Sequence, residues 1–167
     1  EKKSSDINFN CTTDNNFRPD ILKCDKCEII YSNLINDYKE HEFEEGYQDA
    51  VDEKYISQIK YKEKYFKNLQ EKINLYLDKN KEILEVGSYY GVLGNILKPN
   101  IKSYTGLELS KHGAEFSKKN FNLQIYNETL EQHEKRNVKY DIIIMTDVIE
   151  HFYNPYKILS IVKNLLK

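Results

Sequence analysis

Between Val51 and Leu77, apolar and aromatic residues recur every three, four or seven positions, at Tyr55, Ile59, Phe66, Leu69, Ile73 and Tyr76, with lysines between them. That period predicts one long amphipathic helix or two, with the lysines on a solvated face. After Asp78-Lys-Asn-Lys81 the pattern changes to short apolar runs alternating with helical ones. Strands are predicted over 82–86, 103–108, 123–126 and 140–146. Helices are predicted from Tyr90 to before Pro99, from the capping residue Ser110 to Lys119, over 130–135 and over 155–166. Strict strand–helix alternation builds a parallel sheet with right-handed crossovers and helices on both faces.

The fourth strand carries Ile142-Ile143-Ile144, the continuous apolar character of a strand covered on both faces and paired on both edges. An open edge of that kind invites aggregation. Further strands beyond Lys167, or a partner on this edge, are therefore expected, and Glu1 in place of a methionine also reads as a fragment.

The first 50 residues lack such periodicity. Residues 1–10 are polar. Residues 28–50 mix acids with Tyr31, Tyr38, Phe43 and Tyr47 around a single glycine, Gly46. They read as a connecting segment whose aromatics staple it to the following domain or line a pocket. The expected division is thus a small segment, 1–50, and an α/β domain, 51–167. Within the former, Cys24-Asp-Lys-Cys27 has the spacing with which a tight knuckle presents two thiolates to zinc, and Cys11 precedes it at ribbon distance. Tetrahedral zinc takes four ligands, and a partner for Cys11 would be Asn8, a poor ligand, or Asp14, a better one. Cys11, Cys24 and Cys27 are the candidate metal ligands of a degenerate zinc-ribbon-like segment. The alternative is a ribbon that folds without metal, its thiols buried.

Composition narrows the choice of partners. With 25 Lys plus Arg against 27 Asp plus Glu, no overall field favours nucleic acid or an anionic membrane. No apolar run approaches the roughly 20 residues of a membrane helix, and no basic-then-apolar leader opens the sequence. The reading is a soluble, cytoplasmic protein. Three clustered cysteines, an odd number, fit thiols or metal ligands better than a disulfide framework.

The chemistry centres on 82–94, Glu-Ile-Leu-Glu-Val-Gly-Ser-Tyr-Tyr-Gly-Val-Leu-Gly, a strand running into a glycine-bearing turn and a helix. Ligands of open α/β sheets bind at the carboxyl ends of strands where the strand order reverses. A dinucleotide loop reads G-x-G-x-x-G so that pyrophosphate can approach bare backbone; here Tyr89 stands at the second glycine. Glu85, two before Gly87, is ill suited to a diphosphate and well suited to a cationic cofactor. Glu108 ends the second strand about twenty residues on, where such an acid accepts the hydroxyls of a ribose.

Residues 83–91, 105–110 and 140–155 resemble class I S-adenosylmethionine-dependent methyltransferases, in particular the bacterial group with a Glu-His motif after strand four. The resemblance implies a Rossmann-like fold and S-adenosylmethionine as cofactor. Glu85-Val-Gly87-Ser88-Tyr89-Tyr-Gly91 matches motif I, Gly106-Leu-Glu108-Leu109-Ser110 the ribose-binding acid and its surroundings, and Thr129 and Leu130 the segment bordering the adenine. Asp147-Val-Ile-Glu150-His151 matches the motif after strand four. The resemblance implies cofactor contacts from Glu85, Gly87, Ser88, Tyr89, Gly91, Glu108, Leu109, Thr129, Leu130 and Asp147, with Glu150 and His151 as catalytic candidates. It extends to the N-terminus, where members of this group carry a paired C-x-x-C zinc ribbon; here the first pair is reduced to Cys11.

The sulfonium already activates the methyl group, so the protein's task is to align the transfer and, for poor nucleophiles, to remove a proton. His151 is the base that titrates nearest neutrality; otherwise it and Glu150 hold the loop or contact the cofactor. The resemblance implies a small-molecule acceptor, such as a sugar or nucleotide-sugar. Competing readings are a non-catalytic cofactor-binding module, a nicotinamide oxidoreductase, which the glycine spacing disfavours, and a zinc-ribbon nucleic-acid binder, which the charge disfavours.

Overall fold

A computed structural model describes residues 2–3, 20–26, 28–33, 51–152 and 154–167. The chain divides into two compact units, Glu1–Glu40 and His41–Lys167. In the first, strands β1 (Lys2–Lys3), β2 (Asp20–Lys23) and β3 (Ile30–Asn33) form an antiparallel sheet in that order. The turn between β2 and β3 is closed by Cys24 N–H to Ile29 O and Glu28 N–H to Cys24 O, each 2.9 Å. Half-buried Cys24 thus sits at the start of the turn. Cys11, Cys27, Asn8 and Asp14 lie outside the described residues, as do Tyr38, Phe43, Gly46 and Tyr47. Among the described residues no group of three or more His, Cys, Asp or Glu side chains could hold a metal ion.

The second unit opens with α1 (Glu53–Ser57) and α2 (Ile59–Ile73). The predicted helical stretch is therefore two helices, broken at Gln58, whose N–H turns back to Tyr55 O. Asp52 caps α1 by accepting the Tyr55 N–H at 2.8 Å. The alternating region then gives β4 (Glu82–Val86), α3 (Val92–Leu97), β5 (Ser103–Leu107), α4 (Lys111–Phe121), β6 (Gln124–Tyr126), α5 (Leu130–Glu134), β7 (Ile142–Met145) and α6 (Pro155–Leu165). Local signals place the helix starts: Ser110 Oγ accepts the Gly113 N–H, Thr129 and Gln132 form a reciprocal capping box, and Pro155 follows the cap Asn154.

All four strands are parallel, in the order β6-β5-β4-β7. Each face of the sheet carries a core. Ile83, Tyr104 and Ile125 pack with Leu93, Leu97 and Ala114, covered by Phe66, Leu69 and Ile73 of α2. Leu84, Val86 and Leu107 pack on the other face with Leu130, Ile158, Ile161 and Leu165. Burying a side chain such as Ile83 or Leu84 completely contributes about 1.5–3 kcal/mol. Among the described residues β7 pairs only with β4, and its four residues are half-buried. Its apolar run reads as a central strand, but among the described residues β7 is the sheet margin, with the isolated Tyr140–Leu166 bridge beside it.

The amino ends of the strands are tied by charge. Lys167 Nζ reaches Glu82 at 2.6 Å and Asp141 at 2.8 Å, Lys102 pairs with Glu82 at 3.0 Å, and Asp141 accepts the Glu82 N–H. The carboxyl ends are left for the loops. There the order reverses between β5–β4 and β4–β7, so the loops after β4, β5 and β7 meet at one switch point.

Candidate functional site

Gly87 and Gly91 bracket the loop after β4 with φ of +73° and +71°, a region open to glycine at little cost. A Cβ on Gly87 would lie 2.5 Å from Val148 Cγ2, so this loop and the loop after β7 are in contact there. A Cβ on Gly91 would meet Ser117 and Leu123, which shows how closely α4 and the residue before β6 approach the start of α3. Tyr89 takes the left-handed region too, at φ +45°. For a residue with a Cβ that costs about 1–2 kcal/mol. All three of its polar groups are engaged: its N–H donates to Glu108 Oε2 at 2.6 Å, its hydroxyl to Asp52 Oδ2 at 2.6 Å, and its carbonyl accepts from Ser117 Oγ at 3.3 Å.

Glu108 is 5% exposed at the end of β5. Its other oxygen accepts the Ser110 N–H at 2.6 Å, so one carboxylate ties the loop after β4 to the loop after β5. Burial raises the pKa of Glu108, and the N–H groups of Ser110 and Tyr89 oppose the rise by favouring the anion. The Leu109 N–H also favours the anion, so the carboxylate is fixed by three backbone donors. Asn127, following β6, donates from Nδ2 to the carbonyls of Glu108 and Leu109, both at 2.7 Å, and so fixes the backbone beneath the acid.

Glu85 is 3% exposed and accepts a hydrogen bond from the Tyr104 hydroxyl. Burial pushes its carboxyl up to about 8; the Tyr104 hydrogen bond works the other way, and the charge of Glu108 adds to the rise. Buried Ser88 lies over Gly106, where a Cβ would come 2.7 Å from its Oγ.

The aromatic side of the site was not evident from the sequence. Tyr55 of α1 packs edge-on against Tyr89, with ring centroids 4.6 Å apart, and stacks on Tyr90 at 5.3 Å. The Tyr90 hydroxyl accepts the Asp52 N–H at 2.8 Å. Burial, then the charges of Glu85, Asp52 and Glu108, push the Tyr55 phenol up to about 12. Asp52 is held below the usual carboxylate range, first by the Tyr89 hydroxyl and then by the Tyr55 N–H. Asp52 carries a sequence signal, an acid before a helical run, but only as a cap.

The remaining sequence candidates spread around this centre. Asp147 is exposed at φ +52°, and Glu150 and His151 are exposed on a single 3-10 turn, Ile149–His151, next to Val148. Thr129 is occupied in its capping box, and Leu130 is buried in the core. A groove of about 280 Å³ beside Tyr90, bordered by Val51, Ile56, His112 and Phe116, includes none of the sequence candidates. Among the described residues no helix is long and apolar enough to cross a membrane.

The three loops read Glu-Val-Gly-Ser-Tyr-Tyr-Gly over 85–91, Thr-Gly-Leu-Glu-Leu-Ser over 105–110 and Thr-Asp-Val-Ile-Glu-His over 146–151, with acids and aromatics and no Lys or Arg. A parallel sheet with such a switch point defines a Rossmann-like α/β domain whose site suits a ligand bearing hydroxyls and positive charge. The chain belongs to a methyltransferase domain family, whose model matches residues 58–167. No curated protein matches it. Among solved structures it is similar to the plantazolicin methyltransferase BpumL in complex with SAH, at 20% identity over 52% of this chain and 35% of that one, TM-score 0.48. It is also similar to the YcgJ protein of Bacillus subtilis, at 21% identity over 54% and 41%, TM-score 0.48. A SAM-dependent methyltransferase of Thiobacillus denitrificans in complex with S-adenosyl-L-homocysteine matches at 13% identity over 61% and 43%, TM-score 0.49. The chain thus spans 35–43% of the length of these structures.

Proposed function

We propose that this chain binds S-adenosylmethionine at the switch point, as the cofactor-binding part of a methyltransferase with a small-molecule acceptor. The observation that carries the reading is the pair of backbone hydrogen bonds that aim the buried Glu108 carboxylate between the loops after β4 and β5, within a chain of the methyltransferase domain family. The donor set fits the cofactor: a carboxylate aimed by backbone donors to accept ribose hydroxyls, glycine backbone at Gly87, and aromatic neighbours for a cation.

When bound, the cofactor supplies a methyl group already activated on a sulfonium. In this reading Glu108 accepts the ribose hydroxyls, Gly87, Ser88 and Tyr89 border the amino-acid end beside Glu85, Thr129 and Leu130 belong to the segment bordering the base, and Leu109 and Asp147 are further cofactor contacts. Gly91 keeps α3 close enough to hold the loop. His151, on the exposed turn after β7, takes the acceptor's proton on its imidazole, and Glu150 orients it. A sugar-type acceptor belongs to the same proposal, as does a cytoplasmic setting.

Isothermal titration with S-adenosylhomocysteine tests the reading. Binding is expected, and Glu108→Ala is expected to weaken it by about 1.5–3 kcal/mol, the range for hydrogen bonds to a charged group. Unchanged affinity in that variant removes the ribose assignment, and competition by NAD would favour an oxidoreductase. The zinc proposal rests on the spacing of Cys11, Cys24 and Cys27. Metal analysis of the purified chain checks it, and less than about a tenth of an equivalent excludes a structural site.

A further inference from the structure

We propose that Asp52, which precedes the family-matched region, is a positioning residue for the ribose-binding carboxylate and acts on Glu108 through Tyr89. This rests on the reading of Glu108 given above. The link is a continuous chain of hydrogen bonds: the Asp52 carboxylate accepts the Tyr89 hydroxyl at 2.6 Å, and the Tyr89 N–H donates to Glu108 at 2.6 Å. Asp52 is itself anchored twice, by the Tyr55 N–H on its other oxygen and through its own N–H to the Tyr90 hydroxyl. The rings of Tyr55, Tyr89 and Tyr90 pack mutually, Tyr89 against Tyr90 at 4.7 Å, so the start of α1 and the loop after β4 form one unit.

The need for such an anchor follows from the backbone. Tyr89 occupies a left-handed conformation at the position where a dinucleotide loop carries its second glycine. Left to itself, a tyrosine would relax toward negative φ and carry its N–H away from Glu108. The hydroxyl at the far end of the side chain, held by Asp52, opposes that relaxation. The loop thereby replaces a glycine's freedom with a side chain clamped from a distant helix. Asp52 touches no cofactor in this scheme; it sets the aim of the residue that does.

The test uses the full chain with Tyr89→Phe, Asp52→Ala and the double variant, titrated with S-adenosylhomocysteine and with its 2′,3′-dideoxy analogue. Tyr89→Phe keeps the backbone donor and removes only the hydroxyl, so it separates aiming from the loss of the α1 cap in Asp52→Ala. Each single variant is expected to weaken S-adenosylhomocysteine about fivefold to tenfold while changing the dideoxy analogue by about twofold or less. The double variant should be no worse than Asp52→Ala, because both remove one interaction. Equal losses for both ligands, multiplied losses in the double variant, or wild-type affinity in Tyr89→Phe would overturn the proposal. If the wild-type chain binds neither ligand, the cofactor reading fails separately, and hydrogen exchange still decides the clamp. The Tyr89 and Ser110 amides, both held by Glu108, should exchange about tenfold faster in Tyr89→Phe, and unchanged exchange refutes it.

Discussion

The Tyr104 hydroxyl donates a hydrogen bond to the carboxyl of Glu85, and both side chains are buried beneath the loop after β4. Glu85 and Tyr104 come from neighbouring strands on one face of the sheet, where β4 and β5 pair in parallel. The contact explains how an acid is accommodated at the end of the most buried strand, and it makes the acid's proton part of the fold's stability.

Glu85 therefore gives stability a pH dependence. The folded chain holds this proton up to about pH 8, whereas the unfolded chain releases it near 4.5. The contribution is complete below 4.5 and is lost as pH rises through the folded value, with a slope of at most about 1.4 kcal/mol per pH unit. Urea denaturation between pH 5 and 8 should show that loss in the wild type and a flatter profile in Glu85→Gln. Parallel profiles would mean that Glu85 is ionised across the range.

Tyr104→Phe removes the donor and leaves the buried carboxyl unsatisfied. A loss of about 1–3 kcal/mol in unfolding free energy is expected at pH 7. In the Glu85→Gln background the same substitution should cost a similar amount, since a neutral carboxyl and a neutral amide are alike left unpaired.

His133 is fully buried, with Nδ1 2.7 Å from Glu128 and Nε2 2.7 Å from the Tyr140 hydroxyl. Arg136 forks onto the same Glu128 carboxylate at 2.8 and 2.7 Å and holds it, ahead of His133, below its ordinary range despite partial burial. His133→Ala should destabilise the fold by about 2–4 kcal/mol through the cavity and the lost hydrogen bonds, read by thermal or urea denaturation.

Gly91→Ala combines a left-handed backbone with contacts of 2.6 Å to Ser117 Oγ and 2.8 Å to Leu123 Cδ1. A loss of about 2–4 kcal/mol is expected from strain and overpacking together. Gly87→Ala meets the tip of Val148 instead and should respond to the companion change Val148→Ala, as Gly91→Ala should not respond to Ser117→Gly alone, because Leu123 remains in place.

The two proposed roles of His151 separate in solution. As a base it leaves S-adenosylhomocysteine binding intact in His151→Ala while methyl transfer falls by about 10²–10⁴. As a cofactor contact it costs affinity directly. Titration of that variant with S-adenosylhomocysteine, beside a methyl-transfer assay, distinguishes the outcomes.

Much of this architecture could be read from residue patterns. Strand 82–86 was expected with the bounds it has, because Ile83, Leu84 and Val86 are apolar without interruption and Gly87 stops them. Ser110 announces α4, and the Gly87, Gly91, Glu108 spacing pointed to the switch point. Two helices were among the expectations for 51–77, but the place of the division, Gln58, carries no proline or glycine to mark it. Ile142–Ile144 read as a paired central strand, since composition reports burial of faces and says little about which edge is occupied.

The aromatic clamp was hidden for a different reason. Asp52 and Tyr89 are separated by 37 positions, and nothing local to either encodes the other. Tyr89 stood out only as a residue where glycine was expected; its meaning lies in α1. Asn127 likewise looks like an ordinary turn residue until its amide is seen bridging two carbonyls of the β5 loop.

The Lys167–Glu82–Asp141 network lies at the opposite pole of the same strands from Glu108 and Tyr89. A five-residue strand separates the poles by roughly 13 Å, beyond the range over which substitutions usually couple. Changes that retune the loops and changes that strengthen the charged pole should therefore combine additively. A lineage of such domains can drift in what it recognises without renegotiating how its sheet is held, and a designer could raise the tolerance of this chain at one pole before altering its selectivity at the other.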